Sequence, residues 1–282
     1  MKSIALAASV LFLLSAAAFA DEREDMLQLA AMAAQHQHDK PAATPAATAE
    51  PAQEVTAEEV TYGEVGGNPV RGYLARPKAA TGALPGLIVI HEWWGVNDNI
   101  RAMTRRLAGE GYLALAVDLY GGAAADNPDA AMKLVQGTMA NRGPAEENVK
   151  RAAAYLERNG ATKLGSIGWC FGGGWSLQTA LLMPDQIDAA VIYYGRVETD
   201  KEKLGKLKAP VLGLFGEKDG AIPVDGVRAF EKALGELGKP AEIHVYPGAD
   251  HAFANSSGGN YNASAATDAW AKTTAFFNQH LR

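Results

Sequence analysis

The segment that most limits what this chain can fold into is Gly168-Trp169-Cys170-Phe171-Gly172, continued by Gly173-Gly174 and preceded by the apolar run Leu164-Gly165-Ser166-Ile167. It reads G-x-C-x-G, the pattern of a nucleophile elbow with cysteine at the bend. A strand must end there and turn sharply into a helix, with residue 170 in a strained backbone conformation. Side chains two positions to either side would collide, so glycine is required at both. The bend lifts the Cys170 sulfur out of the sheet and over the amino end of the following helix. Free N–H groups and the helix dipole at that end favour thiolate and can hold an oxyanion. The competing assignment is a small buried hydrophobe, the usual fate of a free cysteine. Three glycines in a strand-to-helix context favour the nucleophile.

The flanking pattern fits such a bend. Val60–Tyr62 and Val70–Ala75, separated by Gly66-Gly67-Asn68, predict a hairpin. Leu87–Ile90 and Leu113–Val117 are continuous apolar runs, as expected of strands covered on both faces. Ile100, Met103, Leu107 and Ala108 share a helical face, and so do Ala145, Val149, Ala152 and Leu156, opened by Pro144 and closed by Gly160. Beyond the elbow, Ala189–Tyr193, Val211–Phe215 and Ile243–Tyr246 predict strands. Val227, Phe230, Leu234 and Leu237 mark one helix there, and Ala266, Trp270, Thr273 and Phe277 a closing one. Strands alternating with helices give an α/β architecture, a mostly parallel sheet with helices on both faces. One domain, residues 58–282, is expected.

Ahead of it, Lys2, the apolar stretch Ile4–Leu14 and Ala18-Phe19-Ala20 before Asp21 form a signal peptide over residues 1–20, cleaved after Ala20. The apolar stretch is too short for a membrane anchor. The mature protein is therefore expected to be exported, to the periplasm in a Gram-negative cell. Residues 21–57 read as a disordered linker or short amphipathic helix, with Met26, Leu27, Leu29 and Met32 on one side and Pro41, Pro45 and Pro51 further on. His36 and His38 on such a tail are expected to be solvated rather than to hold a metal. A net charge of −6 argues against nucleic acid and gives no basic patch for a membrane surface. With one Cys in 282 residues, neither an intramolecular disulfide nor a multi-cysteine metal site can form. An exported chain that exposes its only thiol at an elbow has a chemical use for it.

A nucleophile needs a base, and the base needs an orienting group. Asp219 follows the strand ending at Phe215, and His251 follows the strand ending at Tyr246. Nucleophile, acid and histidine thus come in the order expected, each past the carboxyl end of a strand. His251 would take the Cys170 proton and Asp219 would orient the imidazole; a turn aspartate and a loop histidine are the plainer alternatives. Asp250, adjacent to His251, points away from it in an extended loop. Glu217 is the nearer rival to Asp219. After Ile90 comes His91-Glu92-Trp93-Trp94-Gly95. The amides of Trp93 and Phe171 are the candidate oxyanion hole. Glu92, set between tryptophans and an apolar strand, would lose solvation and could take a proton, unless it is surface-exposed. Trp93, Trp94, Phe171 and Tyr120 predict an aromatic-lined substrate pocket.

Together, His91–Asn97, Gly168–Gly173, the Asp219 turn and Gly248–Phe253 resemble the dienelactone hydrolase family of α/β-hydrolases, and the tail around Ser256 to Ala265 resembles that family's last loop. The similarity covers about residues 58–282. It implies an α/β-hydrolase fold, a Cys170–His251–Asp219 triad, and a glutamate, Glu92, that receives the thiol proton when substrate arrives. It also implies a small-molecule ester or lactone substrate, an acyl-cysteine intermediate, and neither cofactor nor metal. The family reaction opens carboxymethylenebutenolide to maleylacetate. Three departures stand out. Asn255, an expected substrate contact, occupies the position of a substrate-gripping arginine four residues after the histidine, and a second such arginine has no clear match over residues 126–158, Arg142 being the nearest candidate. The export signal does not match a cytoplasmic substrate. A non-catalytic binding or scaffold protein on the same fold is the alternative.

Overall fold

A computed structural model describes residues 30–34, 36 and 50–282. Eight strands, β1 (Val55–Val65), β2 (Asn68–Pro77), β3 (Leu84–Ile90), β4 (Leu113–Val117), β5 (Ala161–Trp169), β6 (Ile187–Tyr193), β7 (Val211–Gly216) and β8 (Ala241–Tyr246), form one sheet in the order β1-β2-β4-β3-β5-β6-β7-β8. The hairpin β1–β2 and the β2–β4 pair are antiparallel; every other pairing is parallel. Seven helices connect and cover the sheet: α1 (Asp98–Gly109), α2 (Pro128–Ala140), α3 (Gly143–Arg158), α4 (Phe171–Leu182), α5 (Lys201–Gly205), α6 (Val224–Glu236) and α7 (Ala263–Leu281).

The apolar runs become strands because both faces find a cover. Leu87 and Val89 of β3 pack with Ile100 and Leu107 of α1 and Phe277 of α7. Ile88 and Ile90, pointing the opposite way, pack in the core that Val149 and Leu156 of α3 close on the other face. Each residue of this run is fully buried, so a one-residue slip would exchange two cores of different shape, which fixes the register. Parallel register brings the carboxyl ends of β3, β5, β7 and β8 to one edge, where loops carry the polar residues.

Two helices lie outside the periodic signal. In α2, Asn127 caps the first turn by accepting from Ala130 N at 3.0 Å, and Pro128 opens the helix. Only Ala131 and Val135 of α2 are buried, so its apolar repeat is faint. α5 is a single short turn capped by Asp200. β1 starts at Val55 rather than near residue 60, because its first half alternates between exposed and half-buried and shows no apolar run. The apolar leader, its cleavage after Ala20, and His38 lie outside the described residues. Among the described residues, no helix is long and apolar enough to cross a membrane.

Candidate active site

The junction between β5 and α4 is the bend expected at residue 170. Cys170 has φ 56° and ψ −119°, a left-handed-side conformation that costs a non-glycine residue about 1–3 kcal/mol. A Cβ on Gly168 would lie 2.0 Å from the Gly172 carbonyl oxygen, and one on Gly172 would lie 2.3 Å from that of Ile90. Both glycines are therefore demanded by close backbone approach. Cys170 N donates to Tyr193 O at 3.0 Å, tying the bend to β6.

His251, in the loop after β8, has Nδ1 2.8 Å from Asp219 Oδ2, and both side chains are buried. The other carboxylate oxygen of Asp219 accepts from Ala221 N and Ile222 N at 2.9 and 2.8 Å, which fixes its plane. The rivals are occupied elsewhere. Glu217 accepts from Gly248 N, and Asp250 accepts from the backbone N–H of His251 rather than from its ring. With Nδ1 committed to Asp219, Nε2 is left for the thiol; ligating atoms of His251, Cys170 and His36 all lie within 4.8 Å of one another. Burial alone would lower the His251 pKa, but Cys170 and Asp219 hold it well above the ordinary histidine value.

The loop after β3 is held from within. His91 donates from Nδ1 to Glu92 O at 2.6 Å and accepts at Nε2 from Leu119 N at 3.2 Å, a neutral tautomer that anchors the loop to the end of β4. Burial keeps its pKa low. Glu92 is only 4% exposed and accepts from Asn255 Nδ2 at 2.8 Å. The amides of Trp93 and Phe171 are not taken up by any turn, loop or cap hydrogen bond among the described residues.

A cavity of about 120 Å³ opens beside the thiol. Cys170, His251, Phe171, Trp175 and Tyr194 contribute to its wall, with Arg142 and Arg196 adding positive charge. Three of the expected substrate contacts are corrected. Trp94 is 2% exposed and packed 4.7 Å from Trp93, in the core rather than at the cavity. Tyr120 sits between His91 and Phe171, ring centroids 4.5 and 5.5 Å away, and lines a different hollow. Asn255 is turned toward Glu92 and positions a carboxyl group instead of contacting the cavity.

Sequence reasoning passed over Tyr194, whose φ is 35°, whose ring lies edge-on to His251 at 5.3 Å, and whose buried hydroxyl has no hydrogen-bond partner among the described residues. It read Met32 into a short helix but gave no sign that this helix docks at the thiol. Residues 30–34 are helical, and His36 N donates to Met32 O at 3.2 Å, so both side chains leave the same helical face. Met32 Sδ reaches 3.2 Å from Cys170 Sγ. The expectation of a solvated His36 is overturned: it is 3% exposed, with its ring 5.2 Å from both Trp93 and His251. The spacing of Met32 and His36, four apart, signals a shared helical face but not what that face meets.

An eight-stranded, mostly parallel sheet with helices on both faces and a cysteine elbow beside a carboxylate-held histidine defines an α/β-hydrolase. The dienelactone hydrolase family model matches residues 70–281, and the chain belongs to that family. It is 38% identical over 226 residues to "Protein usf" of Aquifex pyrophilus, covering 77% of this chain and 96% of that one. To a Saccharolobus solfataricus protein named as a carboxymethylenebutenolidase it is 33% identical over 264 residues, covering 79% and 98%. A Klebsiella pneumoniae structure described as a dienelactone hydrolase superposes with a TM-score of 0.73 at 34% identity, covering 81% of this chain and all of that one. The chain is thus a hydrolase of the carboxymethylenebutenolidase-like kind, and the scaffold alternative gives way to an enzyme.

Proposed function

We propose that this protein is an exported thiol hydrolase of small esters or lactones that works through an acyl-cysteine. The observation that carries this is Cys170 at a strained elbow, within 4.8 Å of a histidine whose far nitrogen is held 2.8 Å from Asp219. The Cys170 sulfur attacks the ester carbonyl, and the amides of Trp93 and Phe171 receive the developing oxyanion. The C–O bond then breaks, and the His251 imidazolium gives its proton to the departing alkoxide. Neutral His251 next draws a proton from water, whose oxygen attacks the thioester carbonyl. The acid is released and the sulfur returns. Asp219 holds the imidazole orientation throughout. Glu92, kept in place by Asn255, is assigned as the acceptor of the resting thiol proton when substrate arrives; His251 enters the cycle already as the imidazolium and regains that proton from water, and Glu92 returns its own proton to the sulfur at the end. The guanidinium groups of Arg142 and Arg196 at the cavity favour a substrate with a negative substituent.

The test is hydrolysis of p-nitrophenyl acetate with a burst equal to one acyl group per thiol. Cys170→Ala should abolish both burst and turnover; undiminished turnover in that variant would sink the assignment. Export is tested by the mature N-terminus: mass spectrometry of the protein recovered from outside the cytoplasm should find Asp21 first, and an intact Met1 there would refute cleavage.

A further inference from the structure

We propose that His36, Cys170 and His251, joined by Met32, form a binding site for a soft d10 metal ion, copper(I) above zinc(II). One ligating atom from each of the first three lies within 4.8 Å of the other two, and all three side chains are buried. Tetrahedral coordination with metal–nitrogen distances of about 2.0–2.1 Å and metal–sulfur distances of about 2.3 Å needs donors about 3.4–3.8 Å apart. Closing from the present separations takes side-chain movements of about 1 Å or less, within rotamer adjustment.

The outer shell is already built. Asp219 holds His251 Nδ1 at 2.8 Å, the carboxylate–imidazole arrangement that presents Nε2 to a metal and raises its basicity. A fourth donor comes from the same helical turn as His36: Met32 Sδ lies 3.2 Å from Cys170 Sγ. A thiolate and a thioether with two imidazoles is a soft set, and the thioether is what favours copper(I) over zinc(II). Met32 and His36 precede the family-matched residues 70–281, so this chain adds two donors from outside that region to two groups inside it.

Binding transfers the Cys170 thiol proton to water as the metal–sulfur bond forms, with no change of oxidation state in the protein or the metal. The site shares its thiol and one imidazole with the hydrolase reading, yet it rests on donor geometry alone.

The experiment is anaerobic titration of the reduced chain, residues 30–36 included, with copper(I) against bicinchoninate and with zinc(II) against 4-(2-pyridylazo)resorcinol. One equivalent of copper(I) should bind. Removing a ligand should weaken it by at least the 10–100-fold seen when outer-shell partners are lost, so Cys170→Ser should fall about 100-fold or more and His36→Gln about 10-fold or more. Met32→Leu should weaken copper(I) about 10-fold while leaving zinc(II) within about 2-fold. X-ray absorption on the copper-loaded parent should show mixed sulfur and nitrogen ligands, which decides the matter even if a variant misfolds. Absence of one-equivalent binding, parental affinity in His36→Gln or Cys170→Ser, or a first shell without sulfur would each overturn the proposal. Metal binding without Cys170-dependent ester turnover would remove the acyl-cysteine reading and leave this one standing; turnover without metal binding would do the reverse.

Discussion

Replacing Gly168 by alanine tests the elbow itself. Its new Cβ would lie 2.0 Å from the Gly172 carbonyl oxygen and 2.2 Å from the carbonyl carbon, where real contacts do not fall below 3.0 Å. Either β5 or the first turn of α4 must therefore move by about 1 Å, and both are backbone, with no flexible side chain to yield. Overpacking costs about 1–3 kcal/mol, and a backbone collision belongs at the upper end. For a domain of this size that lowers Tm by roughly 6–12 °C. The same shift moves the Cys170 sulfur relative to His251 and to the Phe171 amide, and a 1 Å misplacement costs about 100-fold in rate. Gly174→Ala is the matched control in the same helix, since its Cβ would meet nothing nearer than Arg196 Cβ at 3.3 Å, with Arg196 N and O at 3.4 and 3.5 Å, so the neighbouring segment need give by only a few tenths of an ångström. Alanine gains at most about 1 kcal/mol there from helix propensity, so its Tm should stay within roughly 4 °C of the parent. Thermal unfolding followed by burst titration with p-nitrophenyl acetate reads both effects. A Gly168→Ala protein with parental Tm and parental burst would refute the elbow geometry.

Two further predictions follow from the groups around the thiol. Asp219 is one cause of the raised His251 pKa, and the imidazolium that protonates the leaving alkoxide is lost as pH rises through that value. Asp219→Asn should move the alkaline limb of kcat/KM toward lower pH, and a limb that stays in place would mean Asp219 does not hold the charge on His251. Asn255→Leu removes the 2.8 Å bond to buried Glu92 and should cost about 1–3 kcal/mol, the penalty of an unsatisfied buried polar group. A double-mutant cycle with Glu92→Gln by denaturant unfolding should give a coupling of about 0.5–3 kcal/mol, and zero coupling would separate the two residues.

What was legible in the sequence is what local sterics and strand order write into it. Gly168 and Gly172 announce the bend because no other residue avoids the backbone of Gly172 and of Ile90. Asp219 and His251 could be placed because the loops after β7 and β8 open on the same sheet edge as β5. The pocket wall was not legible. Trp94 and Tyr120 are as apolar as Trp175 and Tyr194, and hydrophobicity predicts burial without saying whether a ring faces the cavity or the core. Asn255 looked like a ligand contact because it stands where a substrate-gripping arginine would, and its actual partner, Glu92, is 163 positions away. Met32 approaches Cys170 across 138 positions, and no local periodicity encodes a contact of that range.

That long-range contact links the two roles of Cys170. A thiol beside an imidazole is a nucleophile when the space above it admits a carbonyl, and a ligand pair when that space supplies further donors. Met32 contributes to the wall of the cavity of about 120 Å³ into which an ester must bring its carbonyl. The volume of a methionine side chain and that of a small acyl group compete for the same few contacts around Sγ, given that Met32 Sδ already lies 3.2 Å away. A seated Met32 therefore takes up part of the space that an ester at the sulfur would use. Any metal that joins His36 to Cys170 and His251 must stabilise the seated form by its binding free energy, and so oppose acyl transfer at the same atom.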